Sequence, residues 1–479
     1  MSFNSLEIGR KALLAQRMGL DITSNNIANV NTEGYSRRDA QFAESSDAIY
    51  HNGNFMGTGV LMSKLRTFRE DFFDREVRNT LARKSGLEQD DKILERVETI
   101  LAEPTAENLN NSVTDFFKAF DELALKPESV GLRENILEVA NTFIDKFNYI
   151  SRQLTDARTE VGKEIYAMTE KSNRIISEIA NINQSFSANQ SMAYEQSQTM
   201  IDKREMLLEE LSEIANLTVT DGNDGQINVF INGINVVTRH IPSTLQVAES
   251  VSAQGEVTYK VNKIDKKGNA LNSINPSSGK LAASLQHFNV TLDGRESSNQ
   301  FSAFKRLNDF ATAIVSNVNS ITEQGYGLDD IDAEAPGRKF FEIGDETSSS
   351  FSIKLSVDLM NNPKNIPLSS AVNEPGNSDI ARQIARLADK KDFIGNEAYH
   401  EYYSSFIGKV GSMRQDTIRL FDNVSVISEQ LENQRESIIG VNLDEEAVNL
   451  VKYQQAFQAA SRIVNTTNEL LTTIVNLGR

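Results

Sequence analysis

Residues 136–186 read ILEVANTFIDKFNYISRQLTDARTEVGKEIYAMTEKSNRIISEIANINQSF. At seven-residue spacing the stretch places Ala140, Phe147, Leu154, Val161, Met168, Ile175 and Ile182. Three or four residues away from these stand Ile136, Phe143, Ile150, Ile165, Ile179 and Phe186. Apolar residues spaced this way form one stripe along an α-helix, so the pattern predicts a coiled-coil-like helix of about 50 residues. At about 1.5 Å per residue it is on the order of 75 Å long. Few compact domains hold such a rod, and an elongated molecule is expected. An ordinary helical bundle built on this stripe would be rod-like as well.

Outward from this helix, proline marks where further long helices are possible. Six of the eight prolines lie between 242 and 375, and none occurs in 1–103, 128–241 or 376–479. Proline breaks helix interiors, so the chain reads as helical ends around an irregular middle. In that middle Ile227, Val229 and Ile231 alternate with polar residues, then Asn232-Gly233 precedes Ile234 and Val236. Asn-Gly between alternating apolar runs predicts a hairpin, because both turn positions need φ > 0. Thr258–Val261 and Phe351–Val357 alternate too. Residues 217–290 and 340–360 read as β-rich, with a helix near 300–322 on Phe304, Leu307, Phe310, Ile314, Val318 and Ile321, and helices returning by about 378. The expected class is α+β multidomain, with long helices at both ends and a β-rich insertion.

Composition removes several functions. With 479 residues the chain allows two to four domains, at roughly 100–200 residues each. A net charge of −18 opposes coating nucleic acid, which needs a basic surface. There is no cysteine, hence no disulfide, thiolate metal site or cysteine nucleophile. His51, His240, His287 and His400 lack metal-ligand spacing. The apolar run Ala12–Ala15 is far shorter than the ~18 residues of a transmembrane helix and too short for a secretory signal, so neither is expected. No G-x-x-x-x-G-K-[ST], G-x-S-x-G or H-E-x-x-H occurs. Asp444-Glu445-Glu446 point in different directions on one helix turn, where Asn442 can cap and the acids favour the positive end of the dipole. In the acidic run Asp329, Asp330, Asp332 and Glu334, a calcium loop begun at Asp332 would put Ile343 where glutamate is required. No catalytic residue, metal or cofactor is expected.

The two ends share a property. Residues 1–40 hold five basic and four acidic residues, and 440–479 hold three and four, so the whole net charge resides in 41–439. Leu6, Leu13, Leu20 and Ile27 make one seven-residue seam, and Leu443, Leu450, Phe457, Val464 and Leu471 another. Such neutral amphipathic helices are marginal alone. Packing on neighbouring copies would order them, and so would pairing within one chain. After the first seam comes Ser24-Asn25-Asn26-Ile27-Ala28-Asn29-Val30-Asn31-Thr32-Glu33-Gly34-Tyr35-Ser36-Arg37-Arg38. Its asparagines suit a helix end and turn, and Gly34 permits positive φ. Asn26 and Asn29 share a face, where their amides could bond locally or across a subunit boundary.

This string resembles the N-terminal signature of the bacterial flagellar axial proteins (rod, hook and hook-associated proteins), a helix followed by S-N-N-I-A-N-x-N-T-x-G-Y. Gly440-Val441-Asn442-Leu443-Asp444-Glu445-Glu446 with Tyr453-Gln454-Gln455-Ala456-Phe457-Gln458-Ala459-Ala460 is similar to the ending of the hook-associated protein 1 family, the junction proteins between hook and filament. Arg38 stands where that family more often has Gln, and Phe457 where tyrosine is commoner. Asp115–Phe120, Leu123–Pro127, Gly279–Leu281 and Gly325–Asp329 extend the likeness over most of the chain.

The resemblance implies a structural, non-enzymatic subunit of the flagellum. It implies a terminal helical polymerisation domain from 1–40 and 440–479, a long helical bundle from 41–216 and 376–439, and an inserted β-rich outer domain from 217–375. Subunit packing falls to Leu6, Leu13, Leu20, Asn25, Asn26, Ile27, Asn29, Gly34 and Tyr35, and to Leu443, Leu450, Tyr453, Phe457, Val464 and Leu471. The implied partners are further copies in a ring, the hook protein, hook-associated protein 3 and a dedicated export chaperone reading about 440–479. Nucleic acid and membrane insertion are not among them. The implied location is extracellular, after type III export without a cleaved signal.

Overall fold

The computed structural model describes residues 2–32, 34–45, 49–51, 54–102, 108–188, 194–222, 225–251, 257–293, 300–331, 334–343 and 352–477. Of the residues read above, Glu33, Asp332 and Phe351 lie outside these. The fold is mixed α and β, with long helices drawn from both ends of the sequence and the sheets concentrated in its middle.

Helix α1 (Ser2–Ala28) leads into strands β1 (Arg38–Glu44), β2 (Ile49–His51), β3 (Asn54–Met56) and β4 (Val60–Thr67), with β1 and β4 paired antiparallel. Four helices follow: α2 (Asp71–Leu101), α3 (Leu109–Leu125), α4 (Val130–Ala188) and α5 (Tyr194–Ile214). Helix α4 is the rod read from the heptads and runs 59 residues, longer than the apolar pattern alone marks. Among the seam residues all are buried except Met168 and Phe186, which are half-buried against the same core.

The middle begins with the antiparallel sheet β5 (Leu217–Asp221), β6 (Ile227–Ile231), β7 (Ile234–Thr238) and β8 (Ile241–Pro242). Asn232 (φ 47°) and Gly233 (φ 79°) turn β6 into β7, the left-handed pair that the Asn-Gly reading requires. A second sheet joins β9 (Thr244–Val251), β10 (Val257–Ile264) and β11 (Ala270–Ile274). The expected β-rich stretch to 290 ends at Ile274, because Lys280–Gln286 form α6 and His287–Thr291 a π-helical turn. Lys280–Gln286 holds no β-branched residue and is built of Ala, Leu, Lys, Gln and Ser, which favours helix over strand. Then come α7 (Ala303–Thr322), as read, the strand pair β12 (Phe341–Ile343) and β13 (Ile353–Leu355), and the short α8 (Val357–Asn361) and α9 (Asp379–Ala385). The chain closes with α10 (Tyr399–Ile439) and α11 (Leu443–Leu477).

The core runs along α4. At one end α3, α7, α9 and β12 surround an aromatic cluster in which Phe116 meets Phe117, Phe120, Phe143, Phe340 and Phe341 at centroid distances of 5.1–6.4 Å. Arg133, 2% exposed, donates to the carbonyls of Pro127 (2.9 Å) and Ile366 (2.8 Å) and ties the start of α4 to the 363–366 turn. Burial pushes its pKa down to about 10, which leaves it charged at neutral pH.

The sheets dock on α4 through asparagines. Asn173 donates to the carbonyl of Leu245 and accepts from its N–H, both at 2.8 Å. Asn183 does the same to Ile227 (2.8 and 3.3 Å) and Asn148 to Ile353 (3.2 and 3.3 Å). An amide side chain donates and accepts side by side, as a neighbouring strand residue would, so each satisfies backbone groups that the helix would otherwise bury unpaired. Asn173→Ala removes one such pair. Urea unfolding is expected to lose about 1–3 kcal/mol, with the exchange of β9 amides rising first.

Candidate assembly site

Helices α1 and α11 pack antiparallel: a Cβ on Gly9 would lie 2.6 Å from Cγ2 of Val464, and one on Gly19 would lie 3.0 Å from the Tyr453 ring. The most buried line of α1 runs through Gly9, Ala15, Gly19, Thr23 and Asn26, and that of α11 through Glu446, Ala460 and Thr467. Small residues let the two backbones approach closely. Leu6, Leu13, Leu20 and Ile27 flank this line and are half-buried, as are Leu450, Phe457, Val464 and Leu471. The structure therefore brings the two seams together within one chain. Leu443 stays apart, half its surface exposed at the start of α11. The β1–β4 ribbon covers another side of α1, with the backbone of Ile8 beside Gly59.

The asparagine-rich turn closes the far end of the pair. Asn26, 1% exposed, donates from Nδ2 to the carbonyl of Arg38 (2.8 Å) and to Oε2 of Glu446 (3.0 Å). Its Oδ1 accepts from the Tyr35 hydroxyl (2.8 Å) and the Arg38 N–H (3.1 Å). These four bonds use both donors and both lone pairs of the amide. Asn29 donates to the carbonyl of Asn25 (2.9 Å), a local bond. Gly34 has φ 75°, and a Cβ there would meet Sδ of Met206 at 2.5 Å. Tyr453 sets its ring edge-on to Phe42 (6.1 Å), and burial raises its phenol pKa, helped by Asp39 and Glu446.

The sequence reading missed the ion pairs. Arg37 reaches Glu446 (3.0 Å) and Glu445 (2.8 Å), and its N–H donates to the carbonyl of Ile439 (2.9 Å). Glu446 is 2% exposed, so this carboxylate is buried between Asn26 and Arg37. The capping role read for Asn442 is present: its Oδ1 accepts from the Asp444 N–H (3.0 Å). Charges placed far apart in sequence gave no spacing signal for their partners.

A second apolar line on α11 was also missed. Val448, Val451, Ile463, Leu470 and Ile474 are each at least half exposed, and Leu14 and Met18 are exposed on α1. The signal was available in the spacing, since α11 is apolar on two faces and the seam uses only one. Among the described residues no helix is long and apolar enough to cross a membrane, and no acidic or histidine group could hold a metal ion.

Residues 94–341, more than half of the chain, match the family described as flagellar hook-associated protein FlgK helical domain. The chain belongs to the flagellar hook-associated protein FlgK family. Residues 434–477 match the flagellar basal body rod FlgEFG protein C-terminal family, and residues 6–35 the flagella basal body rod protein family, so the two matches fall on α11 and α1. The flagellar hook-associated protein 1 of Bacillus subtilis (strain 168) is 25% identical, over 99% of this chain and 98% of that protein. The protein of the same name from Salmonella typhimurium is 22% identical, over 97% and 98%. The flagellar hook junction protein FlgK from Burkholderia pseudomallei shares the fold, at a TM-score of 0.65 and 12% identity, over 76% of this chain and all of that one. As a FlgK family member the chain is a structural protein of the flagellum.

Glu446→Gln tests the buried ion pair. It keeps the size of the side chain and removes the charge facing Arg37, so local stability of the pair is expected to fall by about 1–3 kcal/mol. Amide exchange should accelerate across α1 and α11 and stay unchanged in α4.

Proposed function

We propose that this chain is a non-enzymatic subunit of the hook–filament junction, assembled into a ring through its terminal helices. The carrying observation is the second apolar line on α11: Ile463 is 52% and Leu470 58% exposed on a helix whose other face is already closed by α1. Neighbouring copies covering such half-exposed side chains would gain about 1–1.5 kcal/mol for each one, roughly half the value for full burial. Asn26 and the seam residues then act by building the paired helices that present this line.

On this reading the terminal helices form the polymerisation unit, 41–216 with 376–439 the helical bundle, and 217–375 an outward β-rich domain. The packing of β1 and β4 on α1 favours extending the terminal unit to Thr67. The hook protein lies on one side and hook-associated protein 3 on the other. A dedicated chaperone reads 440–479 before type III export to the cell exterior. A free thiol would be exposed to oxidation there, and the chain has none.

The double variant Ile463→Asp/Leu470→Asp tests the assembly face. The purified protein should keep its helical signal and melting temperature, while electron micrographs of cells carrying it should show hooks without filaments. Filaments of normal number and length on those hooks would contradict the proposal. Leu450→Asp, on the seam, should instead loosen α1 from α11 in the isolated chain.

A further inference from the structure

The terminal unit of α1, β1, β4 and α11 joins the helical bundle by two short crossings. One is 68–70 between β4 and α2, and the other is 440–442 between α10 and α11. Elsewhere the two bodies meet where β1, β4 and the turn after α1 face α5 and the end of α10. Beside that contact lies a cleft of about 760 Å³, lined by the turn after α1, α5 and the last turns of α10, among them Tyr35, Met206, Glu209, Arg435 and Ile439.

The contact is polar and imperfectly paired. Nη2 of Arg38 donates to Oδ2 of Asp202 (3.1 Å) and to the Thr199 hydroxyl (3.2 Å), and the Arg38 guanidinium lies 5.0 Å from the centre of the Tyr35 ring. Asp202 also faces Arg69, but its Oδ1 stands 3.6 Å from Nη1, too far for a hydrogen bond. Nε of Arg38, Nη1 of Arg69, Oδ1 of Asp202 and Oε1 of Gln198 are all buried here without a hydrogen-bond partner in the protein, as are Oγ of Ser36 and Nε of Arg204 close by in sequence. Six of the ten such residues among those described thus fall on or beside this joint. A buried polar atom without a partner costs free energy, so this arrangement competes with one that pairs or hydrates these atoms.

We propose that the terminal unit is a lever hinged at 68–70 and 440–442, latched to α5 by Asp202 between Arg38 and Arg69, with the cleft as its range of travel. Two crossings of three residues can absorb a rotation while the helices on either side stay rigid. One carboxylate holding two guanidiniums is a discrete contact that is either made or broken, which gives two states rather than a continuum. In a subunit between unlike neighbours, the lever lets the terminal helices tilt while the outer domains keep their place. This use rests on the junction reading, and the hinge itself does not.

The chain has no cysteine, so introduced pairs label uniquely. Spin labels at Gln455→Cys on α11 and Asn423→Cys on α10 report the angle across the joint. Labels at Gln455→Cys and Arg17→Cys on α1 report whether the terminal unit itself is intact. In the full-length chain the second pair should give one narrow distance, with and without Asp202→Asn. The first pair should give two distances, with the share of the minor one rising at least threefold in Asp202→Asn. A single narrow distance across the joint in both proteins would overturn the lever, and so would a broad distribution within the terminal unit. Failure of the Ile463→Asp/Leu470→Asp test would leave these distances untouched, so the two readings fail separately.

Discussion

Asn26, on the first helix, sits where that helix, the turn after it and the end of the chain meet, and its side-chain amide is saturated by groups from the other two. Its two donors go to Arg38 and Glu446, and its acceptor takes Tyr35 and the Arg38 backbone. A residue 420 positions away in sequence thereby closes onto the first helix. Without this closure Glu446 would be a buried carboxylate with less support, and burying an unsupported charge is far more costly than burying a bonded one. This closure fixes the far end of the α1–α11 pair, and with the close packing at Gly9 and Gly19 it sets the surfaces that the pair presents.

Much of the fold was legible because helices write their period into the sequence. The rod α4 was readable from Ala140 to Phe186, the β6–β7 turn from Asn232-Gly233, and α7 from Phe304 to Ile321. The misreadings have physical causes. Residues 280–290 follow directly on a β-rich stretch, yet Lys280–Gln286 carry good helix formers and fold as α6. The closest line between α1 and α11 is made by Gly9, Ala15, Gly19 and Thr23, which an apolar search skips because they are small. The leucines that such a search finds lie at the flank. Docking of sheets on α4 by Asn148, Asn173 and Asn183 leaves no sequence trace, since an asparagine on a helix reads the same whether it meets solvent or a strand.

At the assembly site the motifs were legible and their partners were not. The asparagine string and the Gly440–Glu446 string each stand out alone, and only the fold brings Arg37 onto Glu445 and Glu446. Likewise α11 carries two apolar lines, and one sequence cannot say which is closed by α1. The structure buries the line of Val464 in the pair and leaves Leu470 and about half of Ile463 open, although Cγ2 of Ile463 still reaches the Gly9 position on α1 (3.8 Å to a Cβ there).

The most direct test of this account compares two neighbouring positions on α11. Cysteine introduced at Ala460 lies in the buried line of the pair, and cysteine introduced at Ile463 lies on the outward one. Maleimide labelling of the free chain should modify Ile463→Cys rapidly and Ala460→Cys slowly. In isolated hook–filament junctions both should be protected, with the rate at 463 falling at least tenfold. Equal reactivity at 463 before and after assembly would contradict the claim that neighbouring subunits cover this face.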